Sequence, residues 1–479
     1  MSRAHRIAQN SAALLVSNVA NKITGFLIML SMARFLGSER FGLYTYVFAY
    51  VSAFALMTDL GLTTVVIRGL SQNDERGRAS LGNALIIRWP VSLGTYALSV
   101  GSAFLLYGQG ERGWLITLLS LSFLAGPLAT YTAIFNARLM LWQPALINLA
   151  SKVTLFSAFQ WILRSGGSLK TLIVTEVFLG SVNSLILWLC SRSLLKPIYS
   201  FDLTAARRML YESIPLFLTS VFETLYLRID VFFLGHYRNE AAIGIYASAY
   251  RITESLPLVA LAVVNSIFPV MCQQIHEGNE SSLTKLVLAT LKILLAAVIP
   301  AVLLLAFYSN QVTRVLYGTR YEGSAVLLAI LAWGQILLFS NILLSALVIA
   351  RGESRVVMLI SLGMLALNFT LNYLIIPSYG AVGAALTTVA TELAGTLAYL
   401  AVTSMMRPFV QAISRLLIPA ATCGMVLAFF GQRSQPWRLM SIWPVLAIAV
   451  LYPASLYLFR VFNEEEWERL RKLIWPQAS

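Results

Sequence analysis

The sequence predicts an all-α polytopic membrane protein with about fourteen transmembrane helices, and three observations carry this prediction. Of the 479 residues, 58% are hydrophobic and only 12% are charged, whereas a soluble domain is about half apolar and a quarter charged. The apolar residues lie in runs of roughly 20, the length that crosses the hydrocarbon core as a helix. None of these runs alternates as the strands of a membrane β-barrel do. This composition excludes a large aqueous domain, a disordered tail and a disulfide scaffold.

Fourteen apolar runs, separated by short polar breaks, are predicted to span the membrane. They cover residues 11–36, 41–67, 81–107, 114–135, 145–163, 169–190, 213–234, 243–271, 286–307, 325–349, 356–376, 382–403, 416–430 and 441–459. The first run is longer than the apolar core of a signal peptide, so we expect it to remain as a helix.

The orientation follows from the cations of the connecting segments. With the N-terminus inside, the inner segments carry 19 Lys and Arg and the outer segments carry 9. Cytoplasmic loops are the ones enriched in Lys and Arg, and an even number of spans returns the chain to the same side. We therefore expect both termini to be cytoplasmic. Basic cytoplasmic segments explain much of the net charge of +14, so no nucleic-acid partner is expected.

Charged residues also lie inside the predicted spans. The cations are Lys22, Arg34, Arg88, Lys152, Arg228, Arg251 and Lys292, and the acids are Asp59, Glu176, Glu223, Asp230, Glu254 and Glu392. A charge at mid-membrane costs about 2.5–3.5 kcal/mol even on the lenient insertion scale, so each of these residues should face a wet cavity or a partner. We therefore look for function among them.

The chain contains a weak internal repeat. Phe35-Leu36-Gly37 is followed by FGLYTYVFAY, and Phe233-Leu234-Gly235 is followed by IGIYASAYRI, so that a Gly-x-Tyr opens the next helix in both copies. The copies lie six spans apart and have the same orientation, as repeats about an axis along the membrane normal do. This predicts a six-helix bundle in residues 1–191, a cytoplasmic connector in 192–212, a second six-helix bundle in 213–404, and two extra helices with a cytoplasmic tail in 405–479.

Signatures of an enzyme or a metal site are missing from the sequence. It contains no GxxxxGK[ST] phosphate loop, no HExxH helix and no GxSxG turn. Cys190, Cys272 and Cys423 are far apart and lie at or inside apolar runs, which indicates neither a disulfide framework nor a metal cluster. We therefore expect no catalytic residues, no metal and no cofactor.

Several short motifs together resemble the polysaccharide-transporter (Wzx-type) branch of the MOP exporter superfamily, over roughly residues 10 to 405. They are Leu36-Gly37 with Phe41-Gly42-x-Tyr44; Asp59-Leu60-Gly61-Leu62; Arg228-x-Asp230 with Leu234-Gly235 and Gly244-x-Tyr246; Leu316-Tyr317-Gly318 with Tyr321; and Ile376-Pro377-x-x-Gly380-x-x-Gly383-Ala384-Ala385.

The resemblance implies two six-helix bundles that form a V around a central cavity, which opens alternately to either side. It implies a flippase that moves an undecaprenyl-diphosphate-linked oligosaccharide from the inner to the outer leaflet of the bacterial inner membrane. The glycan would serve O-antigen, capsule or exopolysaccharide assembly. A polysaccharide polymerase and a chain-length regulator are the partner proteins to expect, beside the lipid bilayer itself.

The candidate site residues fall into three groups. Arg and Lys suit phosphates because charge-assisted hydrogen bonds are strong where water is scarce. The predicted cavity cations are Lys22, Arg34, Arg228 and Arg251, with Arg88 and Lys292 toward the cytoplasmic side. Possible ion-coupling carboxylates are Glu223, Asp230 and Glu254, although a voltage-driven flip would leave no mark in the sequence. Possible sugar contacts are Asn18, Tyr246, Tyr250, Asn368 and Asn372.

Most of these charges also have structural interpretations. Arg251 has Glu254 one turn away, Arg228 has acids on neighbouring helices, and Arg34 is near enough to the outer interface to snorkel. The remaining interpretations are loop hydrogen bonds for Asp59, an interfacial position for Lys152, helix contacts for Glu176 and Asn183, and interhelical hydrogen bonds for Asn368 and Asn372.

Three other functions remain open at this point. A lipid II flippase shares the architecture and a cationic cavity. A MATE-like multidrug or cation antiporter is less favoured, because the first span has Lys22 and Arg34 but no acid. A membrane polysaccharide polymerase or ligase would need a sizeable outer loop, and the longest here covers only residues 308–324.

Overall fold

The computed structural model describes residues 3–72, 74–199, 201–431, 442–459 and 461–462. Within these ranges the chain is helical and contains no strand. Ten helices of this part of the chain are long and apolar enough to cross a membrane. The predicted all-α polytopic membrane protein is therefore confirmed.

Seventeen α-helices and two 3₁₀ turns make up the described chain. In order they are α1 (Arg3–Asp59), α2 (Leu62–Gln72), α3 (Asp74–Tyr107), α4 (Glu111–Ser120), a 3₁₀ turn (Leu121–Ala125), α5 (Gly126–Ala129), α6 (Thr132–Ala137), α7 (Trp142–Arg164), α8 (Leu169–Arg192), α9 (Leu203–Tyr237), α10 (Glu240–Thr253), α11 (Pro257–His276), α12 (Glu280–Phe307), α13 (Ser309–Tyr317), a second 3₁₀ turn (Thr319–Tyr321), α14 (Ser324–Ala350), α15 (Ser354–Thr403), α16 (Met406–Gly431) and α17 (Ile442–Leu458).

Two of the apolar helical stretches are more than twice as long as one crossing requires. They cover Val19–Gln72 with 54 residues and Ser354–Thr403 with 50. Gly37 in α1 has φ 76° and ψ 173°, and Gly380 in α15 has φ 57° and ψ −134°. Glycine accepts these angles because it has no Cβ. The two breaks coincide with predicted boundaries between spans, so the ten helices are compatible with the predicted total of fourteen spans.

Three predicted spans are interrupted rather than continuous. The second is broken between α1 and α2, where Leu60 and Gly61 both have positive φ. The fourth is divided among α4, the 3₁₀ turn, α5 and α6. The eighth is broken before Pro257, which starts α11, because the ring of a proline disfavours helical geometry in the residue before it.

The chain forms two compact units, Met1–Gly244 and Ile245–Ser479. In the first unit, apolar side chains of α2, α3 and α6 form one buried cluster around Leu62, Leu81 and Ile134. In the second unit, α12 and α14 are the most deeply buried helices, and α15 lies against α14. The bundle boundaries predicted at residues 191 and 213 stay a prediction.

Candidate functional site

Two cations lie on α1 before its bend at Gly37. The side chains of Lys22 and Arg34 are both exposed. Lys22 is fifteen residues from Gly37, or about 22 Å at 1.5 Å per residue. No carboxylate in the described ranges contacts Lys22. The side chain of Asn18, a predicted sugar contact on the same helix, lies outside the described residues.

Polar contacts join α1 to α7 along their length. They are Ser17 Oγ to the Ala145 carbonyl oxygen at 3.1 Å, Lys152 Nζ to the Asn21 carbonyl oxygen at 3.5 Å, and Gln160 Nε2 to Ser31 Oγ at 2.6 Å. This alignment places the Lys152 ammonium group beside the backbone of the residue that precedes Lys22. The interfacial interpretation of Lys152 did not include this contact with α1, because no local pattern reports a contact between residues so far apart in the chain.

The surface of α8 that faces its neighbours carries polar groups, as its spacing predicts. The Tyr44 hydroxyl donates to Glu176 Oε2 at 3.0 Å. Asn183 Nδ2 donates to Asn148 Oδ1 on α7 at 3.1 Å. These contacts give Glu176 and Asn183 the helix-contact role expected of them.

Arg88 is almost fully buried, and its guanidinium holds two helix breaks together. Its Nη1 is 2.9 Å from Asp59 Oδ1 and 2.6 Å from Thr130 Oγ1, and its Nε donates to the Thr58 carbonyl oxygen at 2.9 Å. Asp59 also accepts a hydrogen bond from Thr63. Thr58 to Thr63 flank the break between α1 and α2, and Thr130 lies between α5 and α6. The predicted substrate contact of Arg88 stays a prediction, and the geometry favours a structural role.

Two charged residues of α9 lie at least partly buried among the helices of the first unit. The Arg228 guanidinium carbon lies 5.6 Å from the centroid of the Phe48 ring, a cation–π distance. Asp230 is buried. The side chain of Glu223, a predicted coupling carboxylate, lies outside the described residues. The sequence predicts an acidic partner for Arg228. The structure shows an aromatic ring, that of Phe48, beside its guanidinium.

The two Gly-x-Tyr elements of the repeat contact each other. A Cβ placed on Gly42 would meet the Glu240 carbonyl and lie 2.8 Å from the Gly244 nitrogen, and a Cβ on Gly244 would meet the Ser38 carbonyl. Only glycine permits this approach. The sequence predicted the motif at both positions, but not that the two copies would meet.

An ion pair lies next to this glycine contact. Arg112 Nη2 is 2.8 Å from Glu240 Oε1. The guanidinium carbon is 5.0 Å from the centroid of the Tyr46 ring and 5.8 Å from that of Tyr107, and the two tyrosine hydroxyls are 2.5 Å apart. In the sequence Arg112 is merely a cation of a predicted outer segment. Its function as a link between α4 and α10 depends on long-range contacts.

The predicted site residues of α10 form an ion pair with Glu254, which follows the helix, and a stack of two tyrosine rings. Arg251 Nη1 donates to Glu254 Oε2 at 2.7 Å, which is the structural pairing anticipated from their spacing. The Tyr246 and Tyr250 rings stack with centroids 6.0 Å apart. Tyr246 is buried, and its hydroxyl lies 3.4 Å from Thr388 Oγ1 on α15.

Buried polar side chains of α14 and α15 form a network in the second unit. Asn341 Nδ2 donates to Glu392 Oε2 at 2.7 Å, and Thr396 Oγ1 donates to Asn341 Oδ1 at 2.8 Å. Asn372 Nδ2 donates to Asn368 Oδ1 at 2.8 Å. Lys292 on α12 is also buried. The Asn372–Asn368 bond lies within one helical stretch, whereas Asn368 Nδ2 also donates to Thr391 Oγ1 at 3.3 Å, across the break at Gly380. Contact of Asn368 and Asn372 with sugar stays a prediction.

The six predicted cations therefore differ in what surrounds them. Lys22 and Arg34 are exposed, Arg228 and Arg251 are partly exposed beside a ring or a carboxylate, and Arg88 and Lys292 are buried. Among the described residues, no group of three His, Cys, Asp or Glu side chains has the arrangement of a metal site. Among the side chains that the structure describes, no carboxylate contacts Lys22, and its role as a substrate ligand stays a prediction.

Comparison with known protein families supports the resemblance read from the motifs. The family model described as polysaccharide biosynthesis protein matches residues 7–275, and the MatE family model matches residues 215–374. The first match covers more than half of the chain.

Two relatives are similar over most of their length. The probable low-salt glycan biosynthesis flippase Agl15 of Haloferax volcanii is 24% identical over 80% of this chain and 80% of its own. The capsular polysaccharide biosynthesis protein CapF of Staphylococcus aureus is 22% identical over 82% of this chain and 98% of its own.

Solved structures show the same fold at low sequence identity. The lipid II flippase MurJ in an inward closed conformation superposes with a TM-score of 0.77, at 16% identity, over 93% of this chain and 98% of that one. An inward-facing multidrug resistance MATE transporter of the MOP superfamily superposes with a TM-score of 0.60, at 16% identity, over 81% and 96%. The chain belongs to the polysaccharide biosynthesis protein family and has the fold of these solved membrane transporters.

Proposed function

We propose that this membrane flippase translocates an undecaprenyl-diphosphate-linked oligosaccharide from the inner to the outer leaflet of a bacterial cytoplasmic membrane, for the assembly of a surface polysaccharide. The mechanism is alternating access, with the diphosphate held by cations of the membrane-spanning helices. A polysaccharide polymerase and a chain-length regulator are its proposed partners.

One observation carries the proposal. Lys22 lies exposed within the first membrane-spanning helix, and no carboxylate of the described chain contacts it. An isolated ammonium group at this depth is costly unless water or an anion reaches it. A diphosphate is such an anion, whereas an organic cation would be repelled.

The relatives support the nature of the cargo. Both are named for glycan or capsular polysaccharide biosynthesis, and one is named as a flippase. A glycan built on a lipid carrier must bring its charged and hydroxylated head across the hydrocarbon core. That requirement explains why a polysaccharide biosynthesis family contains a transporter.

The glycine contact supports alternating access. Gly42 and Gly244 close against each other on the predicted outer side, and the Arg112–Glu240 ion pair lies beside them. We propose that this contact separates when the glycan leaves toward the outer leaflet. Glu223, Asp230 and Glu254 remain the proposed coupling carboxylates. Of these, Glu254 already has a cation, since Arg251 is 2.7 Å away.

The proposal is tested by replacing the uncompensated cation. We expect Lys22→Ala to abolish surface polysaccharide while the protein still inserts, because the diphosphate loses its ligand. Lys170→Ala is the matched control: it removes one exposed cation near the start of α8 and should leave export unchanged. Immunoblotting of membranes and polysaccharide staining measure the two quantities.

Wild-type export by Lys22→Ala, Arg228→Ala and Arg251→Ala alike would contradict the role of the cations. Deletion of the chromosomal copy separates the cargoes. Loss of surface polysaccharide with normal growth favours the proposed glycan, whereas cell lysis would favour a peptidoglycan precursor.

A further inference from the structure

Lys152 adds a second uncompensated cation next to Lys22. Its Nζ lies 3.5 Å from the carbonyl oxygen of Asn21, the residue that precedes Lys22, and α1 packs along α7, so the two positive charges are neighbours on adjoining helices. Both side chains are exposed. In the described part of the chain, neither makes an ion pair. Two like charges held together without an acid favour the binding of an anion.

The depth of the pair limits which anion this is. Lys152 lies ten residues after Trp142 and twelve before Arg164, the first and last residues of α7. At 1.5 Å per residue it is about 15 Å from one end and about 18 Å from the other, near the middle of a ~30 Å hydrocarbon core. The headgroups of the surrounding phospholipids lie at the interfaces, so an anion at this depth is one that is crossing the membrane.

Amide groups beside the pair suit the rest of such a ligand. Asn148 is one turn before Lys152 on α7 and accepts a hydrogen bond from Asn183. The Oδ1 atoms of Asn21 and Asn183 are buried and, among the described residues, have no hydrogen-bond donor. Buried acceptors without a donor are costly, and a sugar hydroxyl would supply one.

We propose that Lys22 and Lys152 form a two-point clamp for the diphosphate of the lipid-linked substrate, one ammonium group for each phosphate. This rests on the proposed function and names the part of the site that recognises the head of the lipid. The first sugar lies beside the clamp, where its hydroxyls donate to Asn21 and Asn183. A purely structural role leaves the mutual repulsion of the two lysines uncompensated.

The clamp predicts a preference between lipid phosphates. A monophosphate engages one ammonium group and leaves the other charge uncompensated, whereas a diphosphate engages both. The wild-type protein should therefore bind a prenyl diphosphate more tightly than the monophosphate. Removing one lysine should abolish this preference without affecting the affinity for the monophosphate.

Equilibrium binding to the full-length protein in detergent tests the clamp, with radiolabelled farnesyl diphosphate and farnesyl monophosphate as probes. We expect Lys152→Gln to weaken diphosphate binding about tenfold or more, since a charge-assisted hydrogen bond is lost. Lys152→Arg should keep the preference because it keeps the charge. Lys170→Gln, which removes an exposed cation elsewhere in the same unit, should match the wild type.

The outcomes separate this inference from the proposed function. If the wild-type protein prefers the diphosphate and Lys152→Gln keeps that preference, the clamp is overturned and the proposed function stands. If the wild-type protein binds neither prenyl phosphate, the proposed function fails as well. Displacement of farnesyl diphosphate by phosphatidylglycerol at equal concentration would assign the pair to a lipid headgroup and overturn the clamp.

Discussion

At the residue scale, the charges inside the membrane-spanning helices differ in how they are compensated. Arg88 lies among a carboxylate, a backbone carbonyl and threonine hydroxyls. Lys22 and Lys152 have each other and no acid in the described chain. The first arrangement is compensated within the protein, and the second is the one that we propose to bind an anion. Sequence alone places all three residues in the same class, because compensation depends on which helices become neighbours.

Arg88→Ala should destabilise the first unit. The substitution removes the cation beside Asp59, which keeps the Thr63 hydroxyl as a donor, and the side-chain donor of the Thr58 carbonyl. Lost hydrogen bonds to a charged group cost about 1.5–3 kcal/mol each. Since Asp59 is partly exposed, we expect a total of about 2–3 kcal/mol and a clearly lower midpoint of thermal unfolding in detergent. Arg164→Ala, which removes an exposed arginine at the end of α7, serves as the control. An unchanged midpoint for Arg88→Ala would contradict the structural role.

At the element scale, the helices are long and their breaks are local. The apolar runs predicted where helices would form. A helix in lipid needs apolar side chains along its length, and such runs are visible in the sequence. Interruptions at Leu60 and Gly61, and within α4 to α6, were not predicted. Leu60 and Gly61 are of residue types that also occur in straight helices, whereas Gly126-Pro127 at the start of α5 is a break signal that hydropathy alone does not register. Their conformations are set by contacts such as that of Arg88 with Thr130.

Gly37→Ala should destabilise the bend of α1. At φ 76° and ψ 173°, alanine is strained by roughly 1–3 kcal/mol. Gly25→Ala is the matched control, because a Cβ at Gly25 meets nothing within 4 Å and lies in regular helix, where the change should stabilise by about 0.4–1 kcal/mol. Opposite shifts of the unfolding midpoint are expected. A midpoint for Gly37→Ala as high as that of Gly25→Ala would refute the strain.

Gly244→Ala should separate the two Gly-x-Tyr elements. The added methyl group meets the Ser38 carbonyl, so the contact cannot close fully and the outer side opens more often. The background is a variant in which Cys190, Cys272 and Cys423 are replaced. In that background, the Ser38→Cys thiol should react faster with a membrane-impermeant maleimide when Gly244→Ala is present than when it is absent. Gly101→Ala, where a Cβ meets nothing, should leave the labelling rate unchanged. Equal rates in both variants would show that this contact does not limit opening.

At the scale of the whole molecule, the all-α membrane fold follows from composition and span length alone. The candidate site followed in part. Lys22 and Arg34 were placed on the first helix by sequence, and both are exposed there. The proximity of Lys22 and Lys152 was not predicted from the sequence, because it depends on α1 lying alongside α7. The same holds for the link between Arg112 and Glu240.

The excess of cations in the predicted inner segments fixes an expected topology. Fusions after residue 110, between α3 and α4, should place a reporter outside, and fusions after residue 200, between α8 and α9, should place it inside. We expect alkaline phosphatase activity only in the first and green fluorescence only in the second. The reverse pattern would invert the orientation and place the Gly42–Gly244 contact on the cytoplasmic side.

The glycine contact also has the form that two fused copies of one half-length subunit would produce. Gly42 and Gly244 are equivalent positions of the repeat, and each would crowd the backbone nitrogen of the other if it bore a Cβ. Reciprocal contact between equivalent residues is what a twofold axis generates in a homodimer. In a homodimer of an ancestral half-length subunit, this glycine of each copy would have lain against the same glycine of the other copy. Fusion of two such genes would have left one covalent chain in which that contact is retained.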